Sequence, residues 1–436
     1  MNFKSCVVVP EYALIGNEIL KNVAITVNEN GKITEIAPFS ENAVVGNEVI
    51  KLANEVLVPG FVNAHSHAFH RHLRGRSEIG GKTAETFWKW RDNMYGLVDG
   101  VTKEKLYEYC HQTFLEMLSA GITTVGEFHY VHHSVNGRFD LDSAVIEAAQ
   151  DVGIRLALIQ TLYERAGFDN GPIHPVQKNF ISSYDEFIEN MDKLTKQVTQ
   201  PTVSLAVAAH SARGVSLESI QKLFKYSEQK NMAFHIHLEE QPKEIDDCLS
   251  ILKLNKTPSD LLLEQLNLGK TFTSVHSTYT TPSNIGKFAE RGCNLCICPL
   301  TEGYLGDGFP YLLPNLPICF GTDCNNRICF LEEMRWACYT QQMKFNSRSV
   351  VGLSASKLLE AATVGGARSL CLEEKVGKIE VGMQFDVVSF DLTSPTLKNC
   401  QKTDELIDSI VFGCGNREIK RVVVNGYQNS SIKYSS

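Results

Sequence analysis

The sequence predicts an α/β chain: a barrel of parallel strands wrapped by helices, with a small β domain made from both chain ends. Three observations carry that reading. Short apolar runs alternate with longer amphipathic stretches through the middle of the chain, while both ends read as strands and turns only. Polar residues, histidine above all, stand where the central runs stop.

Residues 1–55 hold the strand candidates Cys6-Val7-Val8-Val9 and Val23-Ala24-Ile25-Thr26-Val27, divided by turn signals such as Asn28-Glu29-Asn30-Gly31. The run Val56-Leu57-Val58 stops at Pro59-Gly60 and leads into Phe61-Val62-Asn63-Ala64-His65-Ser66-His67. The central runs follow: 123–125, 156–159, 203–207, 234–237, 273–276, 295–298 and 318–322. Phe385–Phe390 and Arg421–Val424 are strand candidates again, the second running into an Asn425-Gly426 turn. Neither end can enclose a core alone, so the two are expected to pair. The domains expected are 1–58 with 378–436 for the small β unit and 59–377 for the barrel. The tail with Ser430-Ser431 and Ser435-Ser436 is expected to fray.

With 436 residues and 43% hydrophobic content, the chain can bury a large core. A formal charge of −8 without any Lys/Arg run argues against a nucleic-acid surface. No stretch is apolar and long enough to span a bilayer, and the N-terminus lacks the pattern of a secretory signal. The 13 scattered cysteines, an odd number, favour reduced thiols and a cytoplasmic location over a disulfide framework.

The chemistry is read at the strand ends. His65 and His67 are two residues apart on an extended segment and so share a face. Further along, His237, His276 and Asp323 end later runs. His65, His67, His237 and Asp323 make a nitrogen and oxygen donor set for one divalent cation. Zn2+ suits it best, with Fe2+ or Mn2+ as alternatives. Such a site keeps a place for water and brings its pKa down to about 7. Glu240, three residues after His237, is placed to carry protons, and His276 to steady a tetrahedral intermediate. His235 is expected to be a packed residue and Glu239 a helix-start charge. At this level Arg213 is equally a substrate anchor or a structural ion pair. The cluster Glu127-Phe128-His129-Tyr130-Val131-His132-His133 reads as hydrogen-bonded packing before a second metal site. Cys293, Cys296 and Cys298 read as a buried strand before a thiolate box.

Taken together, Pro59–His67, His237, His276 and Gly321-Thr322-Asp323 resemble the amidohydrolase superfamily. That resemblance implies a (β/α)8, TIM-like metal-dependent hydrolase barrel with a small β-sandwich domain. No lysine stands where two-metal members carry a bridging one; Glu127 and His129 occupy that region, which implies a one-metal site. Longer motifs resemble the N-formimino-L-glutamate deiminases of that superfamily. They are His65-Ser66-His67-Ala68-Phe69, Phe87-Trp88-Lys89-Trp90-Arg91, Glu127-Phe128-His129-Tyr130-Val131-His132-His133, His210-Ser211-Ala212-Arg213, His235-Ile236-His237-Leu238-Glu239-Glu240-Gln241, Leu305-Gly306-Asp307-Gly308 and Glu332–Trp336.

The resemblance implies a zinc-dependent deiminase of histidine catabolism. The anionic small-molecule substrate would be held by Tyr130, Arg213 and Arg91, with His210 lining the pocket. Glu240, His276 and Asp323 would be the catalytic groups. It also implies a homodimer in which Arg91 reaches the neighbouring site. Three positions depart from the pattern: His70 replaces a usual Gln, and Cys324-Asn325 a usual Ser-His. They leave open a related substrate, a purine-type base or another N-formimino acid, and His70 is counted among the substrate-binding residues. A non-catalytic barrel scaffold is the remaining alternative.

Overall fold

The computed structural model describes residues 1–41, 48–76, 87–398, 400 and 402–429, the side chains of 87–89, 92 and 404 excepted. The serine-rich tail and the Phe87, Trp88 and Lys89 side chains therefore lie outside the described residues.

The chain opens with β1 (Cys6–Ile15), β2 (Glu18–Lys21), β3 (Val23–Val27), β4 (Ile33–Pro38) and β5 (Glu48–Pro59). Then come β6 (Phe61–Ser66), β7 (Ile122–His129), β8 (Arg155–Leu162), β9 (Val203–Ser211), β10 (Phe234–Leu238), β11 (Phe272–His276), β12 (Asn294–Ile297) and β13 (Ile318–Phe320). β14 (Val387–Asp391), β15 (Ile419–Val424) and β16 (Tyr427–Gln428) follow.

Strands β6 to β13 pair in chain order, all parallel. Helices cover their outer side, so β7 and β8 are buried along their whole length, as strands covered on both faces must be. One bridge, Ser66 to Asp323, joins the first strand to the last. There the Asp323 N–H donates to the His65 carbonyl at 3.0 Å and the His67 N–H to the Asp323 carbonyl at 2.9 Å. The seam of the barrel therefore runs through the candidate site. Its closeness explains Gly321, where a Cβ would lie 2.7 Å from His65 Cβ and 2.9 Å from Cys298 Sγ.

The other strands form one mixed sheet in the order β16-β15-β14-β5-β1-β3-β4, with β2 on β1. The two chain ends interleave there, β14 lying antiparallel to β5 with Val388 opposite Val58. The sheet folds over its own core, which includes Val8, Ile25, Leu52, Phe385 and Val423. Asn425 (φ 52°) and Gly426 (φ 77°) make the expected tight turn between β15 and β16. A buried ion pair ties this domain to the barrel: Arg155 Nε, on β8, lies 2.8 Å from Asp386 Oδ2. The helix Thr403–Gly413 departs from the all-β character of the C-terminal part. It packs on the barrel helix Phe330–Phe345, whose Arg335 Nη1 donates to the carbonyls of Val411 and Cys414, both at 2.8 Å. Among the described residues no helix is long and apolar enough to cross a membrane.

Candidate active site

A parallel barrel brings the ends of all its strands to one rim. On that rim, residues 258 positions apart in sequence become neighbours. His65 and His67 come from the end of β6, His237 from β10, His276 from β11, and Asp323 follows β13. The register of β10 against β9 slips between Ile236 and His237. A slip of this kind re-aims the side chain that follows it.

His65 Nε2 lies 3.2 Å from His237 Nε2 and 3.4 Å from Asp323 Oδ1, and His67 Nε2 is also 3.4 Å from Asp323 Oδ1. The opposite edges of two rings are already committed. His67 Nδ1–H donates to the Phe128 carbonyl and His237 Nδ1–H to the His210 carbonyl, each at 3.0 Å. Both rings therefore carry their proton on Nδ1 and turn the Nε2 lone pair inward. Burial keeps the imidazoles uncharged. It lowers His65 to a pKa of about 3 and His67 to about 4, and puts His237 well below its usual value. Neutral imidazoles and a carboxylate within van der Waals contact of one another fit a shared divalent cation. Phe128 closes the apolar side of the cluster, its ring centroid 4.4 Å from that of His237 and 4.9 Å from that of His65.

The groups next to this cluster are acidic, with one cation among them. His276 Nε2 is 3.8 Å from Glu240 Oε1 and 4.0 Å from Asp323 Oδ2. Its Nδ1 is 3.4 Å from Glu302 Oε1. Burial opposes a charge on His276, but Glu240, Glu302 and Asp323 together outweigh it and raise the ring to about 10. Burial raises Glu240 above the usual carboxylate range, against the pull of His276. Asp323 is also buried, yet the hydrogen bond from His65 and the nearby imidazoles hold it below that range. Two carboxyls that face the same nitrogen of His276 are thus pushed in opposite directions, an arrangement that separates an acid from a base.

A cavity of about 600 Å3, counted to its open mouth, lies over the cluster. It is lined by His67, His237, Glu240, His276 and Asp323 of the cluster, and by Arg91, Arg213, His210, His70 and Tyr130, with Trp90, Met94, Tyr95, Tyr163 and Phe180. Among the described residues the Arg213 guanidinium makes one ion pair, with Glu244 at 3.6 Å. Its Nη1 is buried without any hydrogen bond. His70 Nε2 and the Tyr130 hydroxyl are 3.0 Å apart. One cavity thus presents the imidazole and carboxylate cluster together with two guanidinium groups.

Arg91 lines the pocket of its own chain and stacks over Tyr95, its guanidinium carbon 5.6 Å from the ring centre. Within one chain, then, it stands where the resemblance put a neighbour's arginine. The Cys324-Asn325 pair sits elsewhere than its place in sequence suggests. Asn325 Nδ2 donates to Ser66 Oγ (3.2 Å) and to the carbonyls of His67 (3.0 Å) and Asp323 (2.9 Å). Thr322 Oγ1 donates to Asn325 Oδ1 at 2.6 Å. Asn325 thus staples the barrel seam. Cys324 Sγ packs 3.2 Å from Thr301 Oγ1, and neither residue lines the pocket. Of the three departures, only His70 faces the cavity.

The histidine cluster after β7 is packing. His132 Nδ1 and His129 Nε2 share Asp142 Oδ1, each at 2.9 Å, and His132 Nε2–H donates to the Thr161 carbonyl at 2.8 Å. No ring nitrogen of His132 is left for a metal. Glu127 Oε1 accepts the Ala68 N–H at 2.6 Å, outside the pocket. His235 Nε2–H donates to the Ser369 carbonyl at 2.8 Å, as a packed residue. Glu239 accepts the Ser259 N–H at 2.8 Å, so it serves the start of the helix Pro258–Gln265 and not that of its own. All 13 cysteines are free, and Cys296, Cys298 and Cys319 pack together inside the barrel.

Sequence patterns alone do not single out Tyr163, Phe128 or Glu302. Tyr163 had a usable signal, since it directly follows the apolar run of β8. Phe128 had none, because its role is to fill space between rings that come from other strands.

The sequence model described as "Amidohydrolase family" matches residues 56–428. A formimidoylglutamate deiminase of Pseudomonas aeruginosa is 32% identical over 95% of this chain and 92% of its own length. A 5-methylthioadenosine/S-adenosylhomocysteine deaminase of Clostridium tetani is 24% identical over 94% of this chain and 89% of its own. Among solved structures, an amidohydrolase from Brucella melitensis superposes with a TM-score of 0.86 at 27% identity, covering 97% of this chain and 94% of that one.

Proposed function

The chain belongs to the amidohydrolase family, and we propose from that premise that it is a hydrolytic deiminase of N-formimino-L-glutamate, releasing N-formyl-L-glutamate and ammonia. One observation carries the choice of substrate. Arg213 places a buried, unbonded guanidinium N–H in the same cavity as Glu240 and the imidazole cluster. A guanidinium in that condition calls for a carboxylate, which forms two parallel hydrogen bonds with it. The formimino acid has carboxylates at one end and an amidine carbon at the other, matching the polarity of the pocket.

His65, His67, His237 and Asp323 would hold a divalent cation, Zn2+ by the donor set, which when bound would supply an activated water. Asp323 turns Oδ1 toward His65 and His67 and Oδ2 toward His276, leaving Oδ2 to take the proton of the water. Oxygen adds to the amidine carbon, and His276 Nε2–H stabilises the charge that develops there. Glu240, its carboxyl raised above the usual range by burial, is the group placed to deliver a proton to the departing nitrogen. The C–N bond breaks as Asp323 passes its proton on to the nitrogen and Glu240 takes the one on the added hydroxyl; ammonia leaves and the formyl oxygen remains. Arg213, Arg91, Tyr130 and His210 hold the carboxylates, and His70 orients the Tyr130 hydroxyl. A homodimer, a cytoplasmic location and a place in histidine breakdown belong to the same proposal. The free cysteines support the compartment.

A second reading, deamination of an adenosine-type substrate, draws on the aromatic lining of Trp90, Tyr95, Tyr163 and Phe180, which could stack on a purine. It leaves Arg213 without a task. The test is ammonia release by zinc-loaded protein from N-formimino-L-glutamate, side by side with 5-methylthioadenosine and adenosine. Turnover of the formimino acid no faster than that of a Glu240→Gln control rejects the first reading, and turnover of a nucleoside alone establishes the second.

A further inference from the structure

His276 is held in an unusual way. Its backbone has φ 68° and the next residue, Ser277, has φ 50°. Two consecutive side-chain-bearing residues in the left-handed region are costly, and such backbone persists only where the surroundings impose it. Here the Ser277 N–H donates to the carbonyls of Leu238 and Val275, both at 3.0 Å, which bends the chain at the end of β11. The bend aims the ring, but rotation about the side-chain bonds still has to be fixed.

Glu302 is the group in place to fix it. It stands in the first turn of the helix Pro299–Leu305, 3% exposed. Its Oε1 accepts the Cys298 N–H at 3.0 Å and faces His276 Nδ1 at 3.4 Å. Among the described residues no lysine or arginine pairs with it, and His276 is its one basic partner. Glu302 does not line the cavity, so it does not touch the substrate. The opposite edge of the ring, Nε2, faces Glu240 and Asp323.

We propose that Glu302 is the positioning residue of His276, keeping a proton on Nδ1 and the ring turned so that Nε2 faces the reacting centre. A carboxylate behind a histidine fixes its tautomer and orientation. The Cys298 N–H in turn fixes the carboxylate, so the device is rigid before any substrate arrives. The proposal rests on the deiminase reading only in giving His276 a task in turnover.

The experiment uses the zinc-loaded, full-length protein in two arms. In the first, 15N-histidine spectra of the native protein, with His276 assigned from a His276→Gln difference, should show Nδ1 protonated. An unprotonated Nδ1 overturns the proposal without any variant at position 302. In the second, Glu302→Gln should lower kcat by about 10²-fold with KM within threefold, the order of loss seen when a histidine's supporting partner is removed. In a His276→Gln background the same change should cost nothing further, because the ring it positions is gone. Additive losses in that cycle mean a general structural role and overturn the proposal. A zinc content that falls below the native one per chain in Glu302→Gln makes Glu302 a ligand and also overturns it. If native protein turns over no formimino acid, the substrate reading fails, while the spectra still decide the role of Glu302.

Discussion

Arg213→Met tests the anion clamp, and the structure sets the size of the effect. The guanidinium lines the cavity with Nη1 unbonded, and among the described residues it makes one ion pair, with Glu244 at 3.6 Å. A hydrogen bond to a charged group contributes roughly 1.5–3 kcal/mol. Loss of a bidentate contact with a substrate carboxylate, partly replaced by water, should cost about 3 kcal/mol, or roughly 10²-fold in kcat/KM at about 1.4 kcal/mol per decade.

The same change strips Glu244 of its partner. Glu244 is 1% exposed and neither of its oxygens has a hydrogen bond. Burial already raises it to about 7 beside Arg213, so without Arg213 it goes higher still. A carboxyl raised in the folded state holds a proton that the unfolded chain releases above about pH 4.5. The variant therefore loses stability as pH rises and is weaker at pH 8.5 than at pH 5.5. Arg213→Met/Glu244→Gln should recover that stability without recovering activity. Steady-state ammonia release, zinc content and urea denaturation at the two pH values separate the terms. If kcat/KM for N-formimino-L-glutamate stays within threefold of the native value at unchanged zinc content, Arg213 does not hold the substrate and the argument from its unbonded N–H fails.

Four other outcomes are expected. Glu240→Gln should retain zinc and lose at least about 10²-fold in kcat, since a positioned proton carrier contributes 10²–10⁴-fold; metal analysis beside initial rates checks it. Removal of the cation by a chelator should abolish turnover and lower the melting temperature, and added Zn2+ should restore both, since a ligand bound only by the folded state stabilises it. Gly321→Ala places a Cβ 2.7 Å from His65 Cβ and 2.8 Å from the His65 carbonyl oxygen; it should lower zinc content and stability together, measured on one preparation. Glu127, raised by burial to about 8, holds a proton in the fold that the unfolded chain gives up above about pH 4.5. Glu127→Gln should therefore gain stability over the native protein progressively from about pH 5, with the full gain above pH 8, read from denaturation midpoints across that range.

The metal-site candidates were readable in the sequence for a geometric reason. In a parallel barrel, the residue that ends an apolar run is also a residue on the common rim, so His65, His67, His237, His276 and Asp323 could be grouped without knowing any loop. The small domain was readable because neither end has enough apolar residues to close a core. What stayed hidden depends on paths that periodicity does not encode. Glu302 reaches His276 from the strand-to-helix turn of the next strand. The place of Tyr95 in the pocket depends on how the helix Phe87–Val98 docks. The slip at His237 is set by pairing with β9 and has no trace in the residues of β10 themselves. The helix Thr403–Gly413 was hidden among strand candidates, because its apolar face is matched by barrel helices far from it in sequence.

Nearness in sequence and nearness in space part company at the three departures from the family pattern. His70, Cys324 and Asn325 all stand within three residues of a candidate ligand. Their side chains leave the backbone in different directions. Asp323 has φ 43° and Asn325 φ 53°, so the chain coils tightly after β13 and turns the Asn325 amide back onto the seam. There its work is to hold β6 against β13, a task any member of the fold must solve somehow and one that says nothing of substrate. His70 lies on the short 3-10 helix Ala68–Leu73 that follows His67 and keeps its ring in the cavity, 4.6 Å from the His67 ring. Whatever this chain binds differently from its relatives, the difference at these three positions is confined to a single imidazole beside Tyr130. On the proposed reading, Tyr130 and Arg213 are the groups that choose the substrate, while the imidazole and carboxylate cluster serves either reading.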